Sequence, residues 1–186
     1  MALETTFRDL GARLNDLIGV LNELHVSVGF KPPHDETAVA DDLGEGSLHL
    51  VGVLNESLAA AVQAQQAVTN HPDLDRARKA LAVCQERFNL FDKDFPTLLA
   101  SYKQLTALAR LATERPEWIH WVSNMKQGIE DCHEPMATVR ITMAACWQEL
   151  AERVGMNSVS VHNTSVGQRI VARPSAGNDV RYERVT

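Results

Sequence analysis

No run of apolar residues in this chain approaches the roughly 18 to 20 that a membrane span needs. Cysteine is scarce: three occur in 186 residues, none in a Cys-x2-Cys, Cys-x2-Cys-His or mixed His/Cys cluster with zinc spacing. No metal and no other cofactor is therefore expected. Phosphate loops are missing as well, since "LGEGS" (43–47) has neither the Gly-Lys-Ser/Thr ending nor a preceding strand. Ser, His and Asp occur without any local pattern that would assemble a nucleophile elbow or triad. Positive charge is short: the formal net charge is −6, which argues against broad binding to a nucleic-acid backbone. The opening "MALETTFRDLGARLNDL" has acidic residues where an export signal carries its apolar stretch, so the cytoplasm is the expected location.

What is present has the balance of a globular domain, 45% hydrophobic and 23% charged, in a length that suits one ordinary core. Charge is unevenly placed. From Gly155 onward, Arg169, Arg173, Arg181 and Arg184 face only Asp179 and Glu183, a surplus of two positive charges, so the rest carries a net −8. An acidic body precedes a mildly basic tail.

Periodicity is the strongest signal. Leu3, Phe7, Leu10, Leu14, Leu17, Leu21, Leu24 and Val28 alternate spacings of four and three, which places them on one helical stripe, the seam of a coiled-coil-like bundle. Gly29, Pro32 and Pro33 end that helix. A second seam runs Val51, Leu54, Leu58, Ala61, Gln65, Val68, with Ser47 as its N-cap, or with a start nearer Thr37. A third runs from Leu74 through Phe88, Phe91, Phe95 and Leu98 to Ala112, with Asp73 and Asp75 at the positive end of its helix. The fourth runs Trp118, Val122, Met125, Ile129, Cys132, Met136, Val139, Met143, Cys146, Leu150. Pro96 and Pro135 interrupt the last two without shifting their phase, which predicts two kinked helices rather than four short ones.

The expected architecture is all-α: an elongated antiparallel four-helix bundle with helices over 3–28, 47–69, 73–112 and 116–154. The two long Pro-kinked helices outreach the others at about 1.5 Å per residue. They should form a projecting hairpin over residues 96–134 with "TERPEWIHW" (113–121) at its tip. Residues 155–186 form a non-helical tail, extended or disordered.

Two motifs invite a chemical reading. Glu-x-x-His occurs at Glu117/His120 and Glu130/His133, the spacing with which ferritin-like di-iron proteins bind metal. Those proteins draw the motif from different helices facing one core. Here both lie on one predicted helix, 13 residues or about 20 Å apart, at outward heptad positions, so a metal-binding bundle is a distant third reading. Arg115 and His120, in "RPEWIH", resemble the Arg-x4-His pair of HEPN-type ribonucleases. That resemblance implies a helical, dimeric RNA-cleaving nuclease or toxin with His120 assisting attack of a ribose hydroxyl. Pro116 departs from the small polar residue that the family carries after its arginine, and suits a first helical turn unaided.

The three cysteines fall on seam positions and read as small core hydrophobes. Cys84 and Cys146, 30 residues before and 32 after Glu114, are expected to be near neighbours. At the tip, Trp118 and Trp121, with Arg115 and Leu111 beside them, exceed what a two-helix hairpin can enclose, and tryptophan clusters beside arginine favour interfaces. In the tail, "SVSVH" and "RIVAR" alternate as short strands, with Ile170 and Val171 as contacts. The reading is a non-catalytic interaction or scaffold subunit of a larger assembly, its partner another protein or a second copy.

Overall fold

The computed structural model describes residues 3–29, 38–69, 73–111, 116–154, 158–164 and 167–173, with side-chain surroundings described outside 38–40, 108–111 and the last two segments. Five helices and two strands follow in chain order: α1 (Leu3–Gly29), α2 (Ala38–Thr69), α3 (Leu74–Leu111), α4 (Pro116–Glu130), α5 (His133–Arg153), β1 (Ser158–Thr164) and β2 (Gly167–Arg173). The helices form an all-α antiparallel bundle in which α1 packs on α2, α2 on α3, and the α4–α5 rod on both α3 and α1. No described helix is long and apolar enough to cross a membrane.

Every residue of the expected α1 seam is buried, from Leu3 to Val28, and so is every residue of the Trp118–Leu150 seam. Each fully buried Leu or Phe side chain is worth about 1.5–3 kcal/mol, so continuous seams outweigh any local propensity. Asp73 Oδ1 accepts the Arg76 amide at 2.9 Å and caps the start of α3.

The two prolines behave differently. α3 is a single 38-residue helix with Pro96 inside it. Before Pro135 the ladder tightens, because the Cys132 amide donates to Ile129 O at 3.2 Å, one residue nearer than an α-helix requires. That leaves the Gly128 carbonyl free, and the Cys132 thiol donates to it at 3.3 Å. The expected 116–154 helix is thus two helices joined by a turn at residues 131–132. The seam phase still passes through intact, since Ile129, Cys132 and Met136 are all buried.

α2 corrects the expectation in two ways. It starts at Ala38, in agreement with the alternative start near Thr37 and not with one at residue 47, and Ser47 is not a cap but a fully buried residue inside the helix. Gly44 and Gly46, which a helix start at residue 47 would leave in the preceding loop, are contact glycines. A Cβ on Gly44 would meet Val28 Cγ1 at 3.4 Å, and one on Gly46 would meet Leu98 Cδ1 at 3.4 Å. Glycine inside a helix costs about 1 kcal/mol against alanine, and here it lets α2 lie close to α1 and α3 at once. The buried stripe is also wider than the expected seam and displaced from it. Its buried residues are Leu43, Ser47, Leu50, Val51, Val53, Leu54, Ser57, Ala60, Ala61, Ala64 and Ala67. Val51, Leu54 and Ala61 of the expected seam are thus inside, while Leu58, Gln65 and Val68 sit half-buried at its edge.

A longer α2 shortens the projecting arm. α2 reaches Leu98 through Gly46, and α1 covers α4 as far as Trp121. The stretch of residues 96–134 beyond the other helices is confined to the end of α3 and the first turn of α4 among the described residues.

β1 and β2 form an antiparallel two-stranded sheet, paired from Ser158↔Arg173 to Thr164↔Gly167 around the two residues 165–166. This non-helical ribbon lies against α5.

Candidate interaction surfaces

The tip is built on Pro116, which opens α4 without needing an amide donor. Trp118 and Trp121 follow, one turn apart and edge to face at 5.5 Å between ring centroids. Both are buried, with 2% and 5% exposure, which overturns the expectation that the hairpin leaves the indoles open. The reason is α1: Trp121 Nε1 donates to the Ser27 carbonyl at 2.9 Å, one of the last-turn carbonyls that a helix cannot satisfy itself. Gly128 reinforces the contact, since a Cβ there would meet Leu24 Cδ1 at 3.3 Å. The close approach of α4 to α1 brings the indoles under cover.

What the tip does expose is Ile119, at 49%, between the two buried indoles in sequence. Glu117 and His120 are exposed beside it. Arg115 lies outside the described residues, as does the side chain of Leu111, so the Arg115–His120 spacing is not described. Ile170 and Val171 fall in β2, where they pair with Val161 and Ser160.

The second Glu-x-x-His pair is divided between other partners. Glu130 is 3.5 Å from Lys126 Nζ, and His133 sits edge-on to Phe95 at 6.0 Å. Among the described residues no group of three His, Cys, Asp or Glu side chains is placed to hold a metal ion. A cleft of about 500 Å³ does open at the α4–α5 turn, lined by Asp16, Glu130, Asp131 and Glu134 with Arg13. Three of those carboxylates already face Arg13, Lys126 or Gln127, at 3.6, 3.5 and 2.7 Å.

Sequence reasoning missed a polar layer near the other end, to which four helices contribute. Thr6 Oγ1 donates to Glu149 Oε1 at 2.9 Å, and the Cys146 thiol to the Thr6 carbonyl at 3.5 Å. Ser57 Oγ donates to the Cys84 carbonyl at 2.9 Å and lies 3.3 Å from its sulfur. Short polar side chains read as gaps in an apolar seam; only their spacing of three or four from apolar neighbours marks Thr6 and Ser57 as interior. All three cysteines are free and buried. Burial pushes the Cys84 thiol up to about 11, partly offset by the Ser57 hydrogen bond. Cys132 rises to about 12 through burial and the nearby Asp131 charge. Cys146 rises further, through burial first and then the charges of Cys84, Glu149 and Asp9. Such thiols stay protonated and unreactive at neutral pH.

A second feature fixes the register of α5 on α3. Arg140 holds Asp92 through two hydrogen bonds, at 2.6 and 3.1 Å, and lies 5.9 Å from the Phe88 centroid. Trp147 Nε1 donates to Gln85 Oε1 at 2.8 Å one level further on. On the outer side of α5, Ile141 is 72% exposed. It stands off the seam between Val139 and Met143, a position legible from the heptad count.

No protein-family model matches the chain, and no curated protein or solved structure matches it either.

Proposed function

We propose that the chain is a non-catalytic protein–protein interaction or scaffold subunit of a larger assembly, acting through the hairpin tip and the C-terminal ribbon. The observation that carries this reading is the half-exposed Ile119 at the tip. Seams pack α1 to α5 against one another, yet in the first turn of α4 a large apolar side chain stands outside, between two buried indoles in sequence. A contact residue carried on a packed helix loses little entropy on binding. The partner surface therefore centres on Ile119, with Trp118 and Trp121 as its support, and takes in Ile170 and Val171 of the ribbon.

Capture of partners from a host lysate by full-length protein, the Ile119→Asp variant and residues 1–154 tests the reading. Each change should reduce the captured partner at least tenfold while far-ultraviolet circular dichroism keeps its helical signal. Equal capture by all three would remove the proposal. The exposed ring of His120 favours one enzymatic alternative, a HEPN-like ribonuclease. RNA incubated with the purified protein should remain intact; cleavage that disappears in His120→Ala would replace the interaction reading with that one.

A further inference from the structure

The ribbon has two outer edges of unlike chemistry. β2, "GQRIVAR", carries Arg169 and Arg173, whereas β1, "SVSVHNT", contains no Lys, Arg, Asp, Glu or Pro. Its pairing with β2 runs through all seven positions without a bulge. Charges, prolines and bulges are the devices that keep a free strand edge from pairing with another chain, and β1 has none. Among the described residues neither outer edge has a partner strand. A lone two-stranded ribbon is marginal in water, and three or more strands are needed for a stable sheet.

We infer that the outer edge of β1 pairs with β1 of a second copy, giving a four-stranded antiparallel sheet in the order β2-β1-β1-β2 about a twofold axis at Val161. The inference rests on the reading of the ribbon as an interaction element and names its partner. The register supports the axis. Thr164 pairs with Gly167, with two residues between them along the chain. At that spacing the closing pair of a hairpin exchanges its hydrogen bonds, and such pairs alternate with non-bonded ones. Val159, Val161 and Asn163 therefore turn their amides and carbonyls to the free edge. Across a twofold axis Val161 meets its own counterpart and Val159 meets Asn163, which allows about six new hydrogen bonds.

Charge selects this arrangement over the alternatives. Pairing β2 on β2 would set Arg169 and Arg173 of two copies on adjacent strands, where like charges opposite one another are destabilising. Pairing β1 on β1 keeps those arginines on the outermost strands, so the positive charges of the two copies are held apart.

Sedimentation equilibrium of the full chain tests this. At about 100 μM the protein should sediment at twice its 20.6 kDa. Val161→Pro removes an amide from the free edge without touching the pairing with β2, and should return the monomer mass with helicity unchanged. Val161→Cys should cross-link into a disulfide dimer under mild oxidation, because the buried native thiols do not compete. A monomer at that concentration, or a dimer that Val161→Pro leaves intact, overturns the inference. Lysate capture by the Ile119 series is independent of this result: a dimer that captures nothing fails the proposed function alone, and a monomer that captures a partner fails the dimer alone.

Discussion

The helical body and the ribbon that follows it meet the demand for burial unequally. In residues 3–153 every helix finds a neighbour for its seam, and even the indoles at the far tip are covered by α1. The fourteen strand residues have one partner strand each, and among the described residues neither outer edge of the ribbon is paired. The difference follows from length: a helix of 27 residues presents a whole stripe to its neighbours, whereas a seven-residue strand satisfies half of its backbone with one partner. Self-sufficiency and availability for contact are thereby assigned to different parts of one chain.

The sharpest way to break this comparison is at the tip. Trp118→Ala should lower unfolding free energy by about 3–5 kcal/mol, as for other buried aromatics, while Ile119→Ala next to it should change it by less than about 0.5 kcal/mol. Urea denaturation followed at 222 nm reads both, and similar values for the two would place the indoles outside the core. Gly128→Leu should cost about 1–3 kcal/mol, because Leu24 cannot retreat without moving α1 away from α4. A neutral result there would mean that the crossing is looser than the 3.3 Å approach shows.

A smaller effect sharpens the picture of the polar layer. The folded Cys84 thiol ionises near 11 against an ordinary 9.0. As pH rises from 9 towards 11, the unfolded chain loses protons that the folded one keeps, so stability falls, by about 1 kcal/mol per pH unit for each such thiol. Urea midpoints across that range should decline, and Cys84→Ala should flatten the decline even though it starts from a less stable protein. Least of all should depend on the ribbon: residues 1–154 alone should unfold within about 0.5 kcal/mol of the full chain. A large loss on truncation would make the ribbon part of the body after all.

Much of the bundle was legible in the residues and some of it was not, for physical reasons that can be named. The α1 and Trp118–Leu150 seams could be read because large apolar side chains recur at three and four without exception. The start of α2 at Ala38 agrees with the alternative near Thr37 rather than with a Ser47 cap. Its phase was only partly legible, since Val51, Leu54 and Ala61 are buried but Leu58, Gln65 and Val68 are not. Gly44 and Gly46 look like a loop, because glycine's helix penalty is visible in a sequence while the tight crossing that offsets it is not. Ser47 and Ser57 look polar, because the carbonyls that accept from them, Gly44 and Cys84, belong to the fold. Cover for the indoles was missed for a related reason: counting residues gives the reach of α1, but not that its last-turn carbonyl would accept a hydrogen bond from Trp121. In the tail the alternation of "SVSVH" and "RIVAR" was visible, whereas the register that distinguishes β1's edges needed the pairing.

The bond from Thr6 to Glu149 spans 143 positions. A chain that emerges from the ribosome amino end first exposes the α1 stripe early, yet the surface that completes its cover arrives only when α5 has been synthesised. At about 5–20 residues per second that is a wait of about 7–30 s, with the stripe around Phe7 lacking the cover of α5. Closure of the bundle is therefore a late, long-range event, set by the arrival of α5.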